Sequence, residues 1–199
     1  MKFQHATIFI ILTGLTTAAG AGGGLLHTLT SPDGVFVVSY HDPLVACRKT
    51  AQAWEPVESC VAPICGESDM VCITYPHDAF PDSDLVSATF SLRAVPEEHD
   101  ASACLKQWTR RDYPTPTSRK IAGVIFKAIH RDGVASGVAA DTYEYRAFHN
   151  GTCYELHVST AYVNPEMADP GVIKPLPQSV RRKIDASLDQ TLNSFRFLK

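Results

Sequence analysis

DTYEYRAFHNGTCYELHVST, residues 141–160, is two alternating runs that meet at Asn150-Gly151. Asn-Gly best supplies the two positive φ angles of a type I′ turn, so the stretch predicts a two-residue β-hairpin. Such a turn fixes the register: His149 faces Thr152, Arg146 faces Glu155, and Glu144 faces His157. Side chains alternate along a strand, which sorts the residues onto two faces. Tyr143, Tyr145, Ala147, Tyr154, Leu156 and Val158 form a core face. Thr142, Glu144, Arg146, Phe148, Cys153, Glu155, His157 and Ser159 form a polar one. The rest of the chain is expected to pack around this hairpin.

Working outward, His27–Thr30 and Val35–Tyr40 flank Pro32-Asp33-Gly34 and read as an opening hairpin that Pro43 ends. Both faces of Val35–Tyr40 are apolar, which predicts cover on both sides. Leu44–Glu67 shows no period and reads as a long loop stapled by disulfides. Val71–Tyr75 is a short strand, and Ala79–Asp84 a turn. In Val86–Val95 the residues Val86, Ala88, Phe90, Leu92 and Ala94 point inward, with Ser87, Thr89, Ser91 and Arg93 outward. Asp100 is a suitable N-cap for a helix over Ala101–Arg111. Ile121–His130 reads as a strand turning at Arg131-Asp132-Gly133. A second helix is expected from about Ser179 to Asn193, buried along Val180, Ile184, Leu188 and Leu192, with Arg181, Arg182, Lys183, Asp185 and Asp189 in water. Phe195–Leu198 resumes strand character and should join a sheet. Seven or eight strands and two main helices make an α+β fold, a largely antiparallel sheet with helices packed on it.

The N-terminus indicates an address. Lys2, the apolar run Ala6–Leu15 and the small-residue ending Ala19-Gly20-Ala21 have the layout of a cleavable secretory signal, predicted as residues 1–21. Residues 22–199 then form a single α+β domain, with a disulfide-stapled loop at about 44–72. All six cysteines, Cys47, Cys60, Cys65, Cys72, Cys104 and Cys153, fall in that part. An even count in an exported chain reads as disulfides, and hence a secreted or periplasmic location. Cys104–Cys153 is the favoured bridge; the other four cysteines allow three pairings. A net charge of −3 over 199 residues offers no electrostatic footprint for nucleic acid. After signal cleavage no run is long and apolar enough to be a membrane helix.

The order of elements resembles the α/β/α sandwich of the PsbP-like family, which includes a Ran-binding import factor. The residues that carry the resemblance are the Pro32-Asp33-Gly34 turn into Val35–Tyr40, the strand with Gly123 in IAGVIF, Tyr145-Arg146 before Asn150-Gly151, and the helix closing on Leu192-Asn193-Ser194-Phe195-Arg196-Phe197. The chain is also similar to small exported bacterial proteins of that shape and of unassigned function. It departs from the PsbP-like pattern in Leu44–Cys72, so that family's partner surfaces are not carried over there. The resemblance implies a non-enzymatic binding or accessory protein.

Chemistry-bearing residues concentrate on the polar face of the hairpin. Glu144 opposite His157 could hold an imidazole tautomer, and Arg146 opposite Glu155 completes a charged quartet of ligand-binding candidates. No catalytic residue is assigned, because no G-x-S-x-G, H-E-x-x-H or free catalytic cysteine accompanies the pair. Cys60, Cys65, Cys72 and His77 lack zinc-site spacing, and neither metal nor cofactor is expected. His130-Arg131-Asp132 copies a kinase tripeptide without the rest of that site and reads as a turn. Asn150-Gly151-Thr152 is a glycosylation sequon whose Asn the turn already explains. The resulting expectation is a disulfide-stabilised, non-catalytic binding or accessory module, its partner a protein or small molecule outside the cytoplasm. The alternatives are a hydrolase using Glu144 and His157, and a metal-binding accessory protein using His157 with Glu144 or Glu155.

Overall fold

The computed structural model describes residues 24–31, 33–49, 54–55, 65, 69–76, 78–95, 100–106, 114–164, 167 and 171–198. Along them run β1 (Leu26–Thr30), β2 (Phe36–His41), β3 (Val45–Lys49), β4 (Trp54–Glu55), β5 (Val71–Thr74), β6 (Leu85–Val95) and α1 (Ala101–Lys106). There follow β7 (Thr117–Ile121), β8 (Val124–Ala135), β9 (Val138–His149), β10 (Thr152–Val163), α2 (Gln178–Ser194) and β11 (Arg196–Phe197). The expected export signal, residues 1–21, lies outside the described residues.

Asn150 and Gly151 take φ angles of 47° and 81°, the left-handed pair that carries β9 into β10. Pairing runs from His149 opposite Thr152 to Val138 opposite Val163 without a slip. On the other side of β10, β6 sets Leu92 opposite Leu156 and Phe90 opposite Val158. The hairpin thus sits inside an eight-stranded sheet of order β4-β3-β5-β6-β10-β9-β8-β7, beside a three-stranded sheet β1-β2-β11. Every strand pair in both sheets is antiparallel.

One face of the large sheet carries the core. Phe90, Leu92, Phe126, Tyr145 and Leu156 meet the Ile184, Leu188 and Leu192 stripe of α2, with Phe36, Val38 and Phe195 filling the space toward the small sheet. Each such side chain contributes roughly 1.5–3 kcal/mol by leaving water. Against the opposite face lies α1, packed on β9. Asp100 caps it, its Oδ1 accepting a hydrogen bond from the Ala103 amide at 2.7 Å. Two helices on a largely antiparallel sheet make this an α+β fold.

Four local expectations change. The periodless stretch 44–67 contains β3, a strand because β5 supplies its partners, with Ala46 opposite Ile73 and Cys47 opposite Cys72. Residues 121–135 turn at Ala122-Gly123 and Ser136-Gly137, all four with positive φ, so Arg131-Asp132-Gly133 lies within β8 and not in a turn. Thr89 and Ser91, expected to face outward, are buried, with the Thr89 hydroxyl hydrogen-bonded to that of the buried Thr74 on the neighbouring β5. Arg181 does not stay in water: it pairs with the fully buried Asp84 and sits 4.0 Å over the Tyr162 ring. Of the helix expected over 101–111, residues 107–111 lie outside the described residues.

The two glycines separate the turns. Gly151→Ala must hold an alanine at φ 81°, at about 1–2 kcal/mol. Gly133→Ala meets no atom within 4 Å and should be neutral or stabilise the strand by up to about 1 kcal/mol. Urea unfolding of both variants checks the opposite signs.

Candidate functional site

The polar face of the hairpin is buried. Glu144, Arg146 and Glu155 are 4%, 2% and 1% exposed. Glu155 is the hub: it accepts from Arg93 Nη2 at 2.5 Å, pairs with Arg146, and takes the Nε2 of His157. Arg146 also donates from Nη1 to the carbonyl of Cys104 on α1, at 3.1 Å. Burial by itself would push the Glu155 carboxyl up. The His157 hydrogen bond and the charges of His157, Arg146 and Arg93 outweigh it and bring the carboxyl from the ordinary 4.5 to about 2.

Glu144 and His157 are opposite each other in the register, yet they do not pair. Glu144 takes Arg131 of β8, and His157 turns along its own strand to Glu155. Arg131 was not legible as a partner because it was read as part of a turn. The hydrolase reading therefore loses its pair, and the carboxylates that remain are buried and committed to arginines. Ligand atoms of Glu144, Glu155 and His157 lie within 4.8 Å of one another, which is metal-like in spacing. Three guanidinium groups, of Arg93, Arg131 and Arg146, already neutralise those two carboxylates, so a divalent cation would enter a positively charged surrounding.

A disulfide joins Cys104 of α1 to Cys153 of β10, with Cα atoms 5.5 Å apart. Another joins Cys65 to Cys72, Cα atoms 5.9 Å apart. Cys47 lies opposite Cys72 and is disulfide-bonded too, and among the described residues no cysteine is free. The sulfurs of Cys47, Cys65 and Cys72 cluster within 4.8 Å, but bonded sulfurs are not the thiolates zinc requires. Cys60 and His77 lie outside the described residues.

The open feature is on the other face. Beyond the buried stripe of α2, the start of β9 and the end of β10 leave a cavity of about 440 Å³. Its floor is Tyr143, Tyr145, Val158 and Thr160; Asp141, Arg119 and the α2 residues Asp185, Ala186 and Asp189 wall it. A second hollow of about 500 Å³ shares Arg119, Tyr143 and Tyr145 and continues to His130 and Thr117. Tyr143, expected in the core, is 42% exposed. The His130 ring stacks on it at 4.4 Å, and His130 Nε2 meets Asp141 Oδ1 at 2.5 Å.

Arg119 closes one end of the cavity. Its Nη2 donates to Asp189 Oδ1 at 2.7 Å and to Asn193 Oδ1 at 2.9 Å, and its Nη1 to the Tyr145 hydroxyl at 3.2 Å. Burial acts against its charge, but Asp189 and Tyr145 more than compensate and hold the guanidinium charged. Burial, then neighbouring carboxylates, push the Tyr143 hydroxyl up, so it stays a neutral donor. Partial burial and the charge of Asp141 push the Asp185 carboxyl up, against the pull of Arg181. The alternation placed Tyr143 on the correct face; only the position of α2 shows that this end of the face is uncovered. Arg119 was missed because β7 carries no apolar alternation.

No protein-family model matches the chain, and no curated protein is significantly similar to it in sequence. Among solved structures it is similar to a protein from Bacteroides thetaiotaomicron VPI-5482, at 13% identity and a TM-score of 0.48 over 86% of this chain. The chain spans about half of that protein, 48% of its length. It is similar to LpqN of Mycobacterium tuberculosis, described as involved in cell envelope biogenesis, at 9% identity and TM-score 0.43 over 87% of this chain and 90% of that one. It is also similar to the PsbP protein (CyanoP) of Synechocystis sp. PCC 6803, at 8% identity and TM-score 0.42 over 92% and 98% of the two chains. All three scores lie below 0.5, and the α+β class rests on this chain's own strands and helices.

Proposed function

We propose that the chain acts outside the cytoplasm as a non-catalytic binding module whose ligand seat is the cavity between α2 and strands β9 and β10, closed at one end by Arg119 of β7. The observation that carries this reading is the pocket floored by the exposed Tyr143 beside the buried Tyr145, of the volume small ligands occupy. Arg119, Tyr145, Asp189 and Asp141 are held in place by hydrogen bonds, which suits recognition. The Glu144/Arg146/Glu155/His157 quartet serves in this reading as internal pairing that holds α1 to the sheet. An extracellular or periplasmic address is supported by the Cys65–Cys72 and Cys104–Cys153 bridges and by the signal layout of residues 1–21. Among the described residues no helix is long and apolar enough to cross a membrane.

The test is a ¹⁵N–¹H spectral titration of residues 22–199 with three probe classes: aliphatic amines, carboxylates and polyols. At least one class should shift amides grouped at 141–145, 158–160 and 185–189. Ala186→Trp, on the exposed side of α2, fills the cavity without touching the core and should abolish those shifts. Shifts of no class at these positions, or shifts indifferent to Ala186→Trp, would remove the binding reading.

A further inference from the structure

We infer that the outer edge of β8 is a dimerisation edge whose occupant is β8 of a second copy of this chain, paired antiparallel. This goes beyond the binding reading and makes no use of its cavity. Strand β7 covers β8 only as far as Thr117 opposite Ala128. On the other side β9 runs on beside β8 to Val138 opposite Ala135. Past Ile129 the outer edge of β8 therefore meets no strand among the described residues, and every residue from His130 to Ala135 is exposed.

Backbone geometry decides which groups line that edge. The two-residue turn at Ser136-Gly137, both with positive φ, makes Ala135 and Val138 a hydrogen-bonded pair. Bonding alternates from there, so the odd-numbered residues of β8 bond to β9. The even-numbered ones face β7 as far as Ala128. Beyond it the N–H and C=O groups of His130, Asp132 and Val134 point outward, and such a row of groups is a template for another strand.

Two copies of one edge close as a dimer about a two-fold axis, antiparallel and with each residue keeping its face. Outward groups must then meet outward groups, which leaves few registers. Asp132 opposite Asp132 of the second copy sets like charges against each other. His130 opposite Asp132 would push Val134 of the second copy onto Ala128, where Thr117 already lies. Asp132 opposite Val134 meets neither objection. It centres the axis on Gly133, at a non-hydrogen-bonded pair, where Cα atoms of two strands come within about 4.5 Å. The chain's own fold does not require that glycine: its φ is not left-handed, and a Cβ there meets nothing within 4 Å. A glycine inside a strand marks the close approach of another backbone. The same register covers Val134, which is 75% exposed. It also brings the Ser136-Gly137 tip of the second copy to the hollow bounded by Pro114, Thr117 and His130.

The test is sedimentation velocity of residues 22–199 from about 5 µM to about 500 µM, a range suited to a contact smaller than the roughly 800 Å² per partner of a standard interface. A reversible monomer–dimer equilibrium is expected within it. Val134→Asp places a carboxylate opposite Asp132 and should weaken the dimer at least about tenfold, whereas Val134→Lys places a cation there and should tighten it several-fold. Both changes sit at an exposed position and should leave the urea midpoint of the monomer unchanged. Asp132→Lys combined with Val134→Asp should restore the dimer. In the dimer the Asp132 and Val134 amides should exchange with solvent several-fold more slowly than in the monomer. A monomer throughout the range overturns the proposal. So does a dimer that ignores both Val134 changes or leaves those two amides unprotected, because it forms through another surface.

Discussion

Glu155→Ala should destabilise the protein by about 3–5 kcal/mol at pH 7, one of the two largest effects expected here. The side chain is 1% exposed and answers two arginines and a histidine. Arg93 and His157 are partly exposed and regain water when Glu155 is removed. Arg146 is not: its side chain is 3% exposed, and it would remain as a buried, uncompensated charge. Replacing Glu155 and Arg146 together by leucine should therefore cost less than Glu155→Ala alone. Denaturant unfolding of the three variants reads the difference, and additive single effects would show that the charges are not a coupled buried pair.

The same residue sets an acid limb. Its folded value is about 2 against an ordinary 4.5, so the unfolded chain binds the proton more readily. The stabilisation is complete above about pH 4.5 and is lost as pH falls toward 2, on the order of 3 kcal/mol in all. Glu155→Gln should flatten the stability profile in that window. A wild-type profile already flat between pH 4.5 and 2 would sink the assignment.

Removing the Cys104–Cys153 bridge with Cys104→Ala/Cys153→Ala should cost about 4 kcal/mol. The two cysteines are 49 residues apart, and closing a loop of that length in the unfolded chain removes much entropy. The Cys65–Cys72 bridge closes a separation of only 7, and removing it with Cys65→Ala/Cys72→Ala should cost about 2.5 kcal/mol. The larger effect has a structural side as well. The bridge ties α1 to β10 at Cys104, the residue whose carbonyl accepts the hydrogen bond from Arg146. Loosening α1 should admit water to Glu155 and shift its acid limb upward toward the ordinary carboxylate range. Chemical unfolding of both double variants gives the order, and a greater loss from the Cys65/Cys72 pair would contradict it.

What was legible in the sequence rests on strong local rules. Asn150-Gly151 dictated a hairpin and a register that holds through twelve residue pairs, because only left-handed backbone makes that turn. The alternation read over 86–95 marked Ala88, Phe90 and Leu92 as core, though Val86, also placed inward, is exposed, and the four-residue spacing of Ile184, Leu188 and Leu192 marked the buried stripe of α2. β3 was illegible because a five-residue strand without alternation exists only through its partner β5. The turn at 131–133 was misplaced because a single glycine was weighed there, while the backbone turns at Ala122-Gly123 and Ser136-Gly137.

The candidate site shows the same division. By itself the sequence determined that Glu144, Arg146, Glu155 and His157 share one face and that Tyr143 and Tyr145 share the other, since side-chain alternation is a property of the strand. Only the tertiary structure decided which face meets water. α1 and the Cys104–Cys153 bridge bury the charged face, and Arg131 arrives from β8 to take Glu144. α2 crosses the tyrosine face without covering its end, and places Asp185 and Asp189 beside Tyr143 and Arg119. The α2 contacts join residues about forty to seventy positions apart, and no local pattern encodes how far a helix reaches across a sheet.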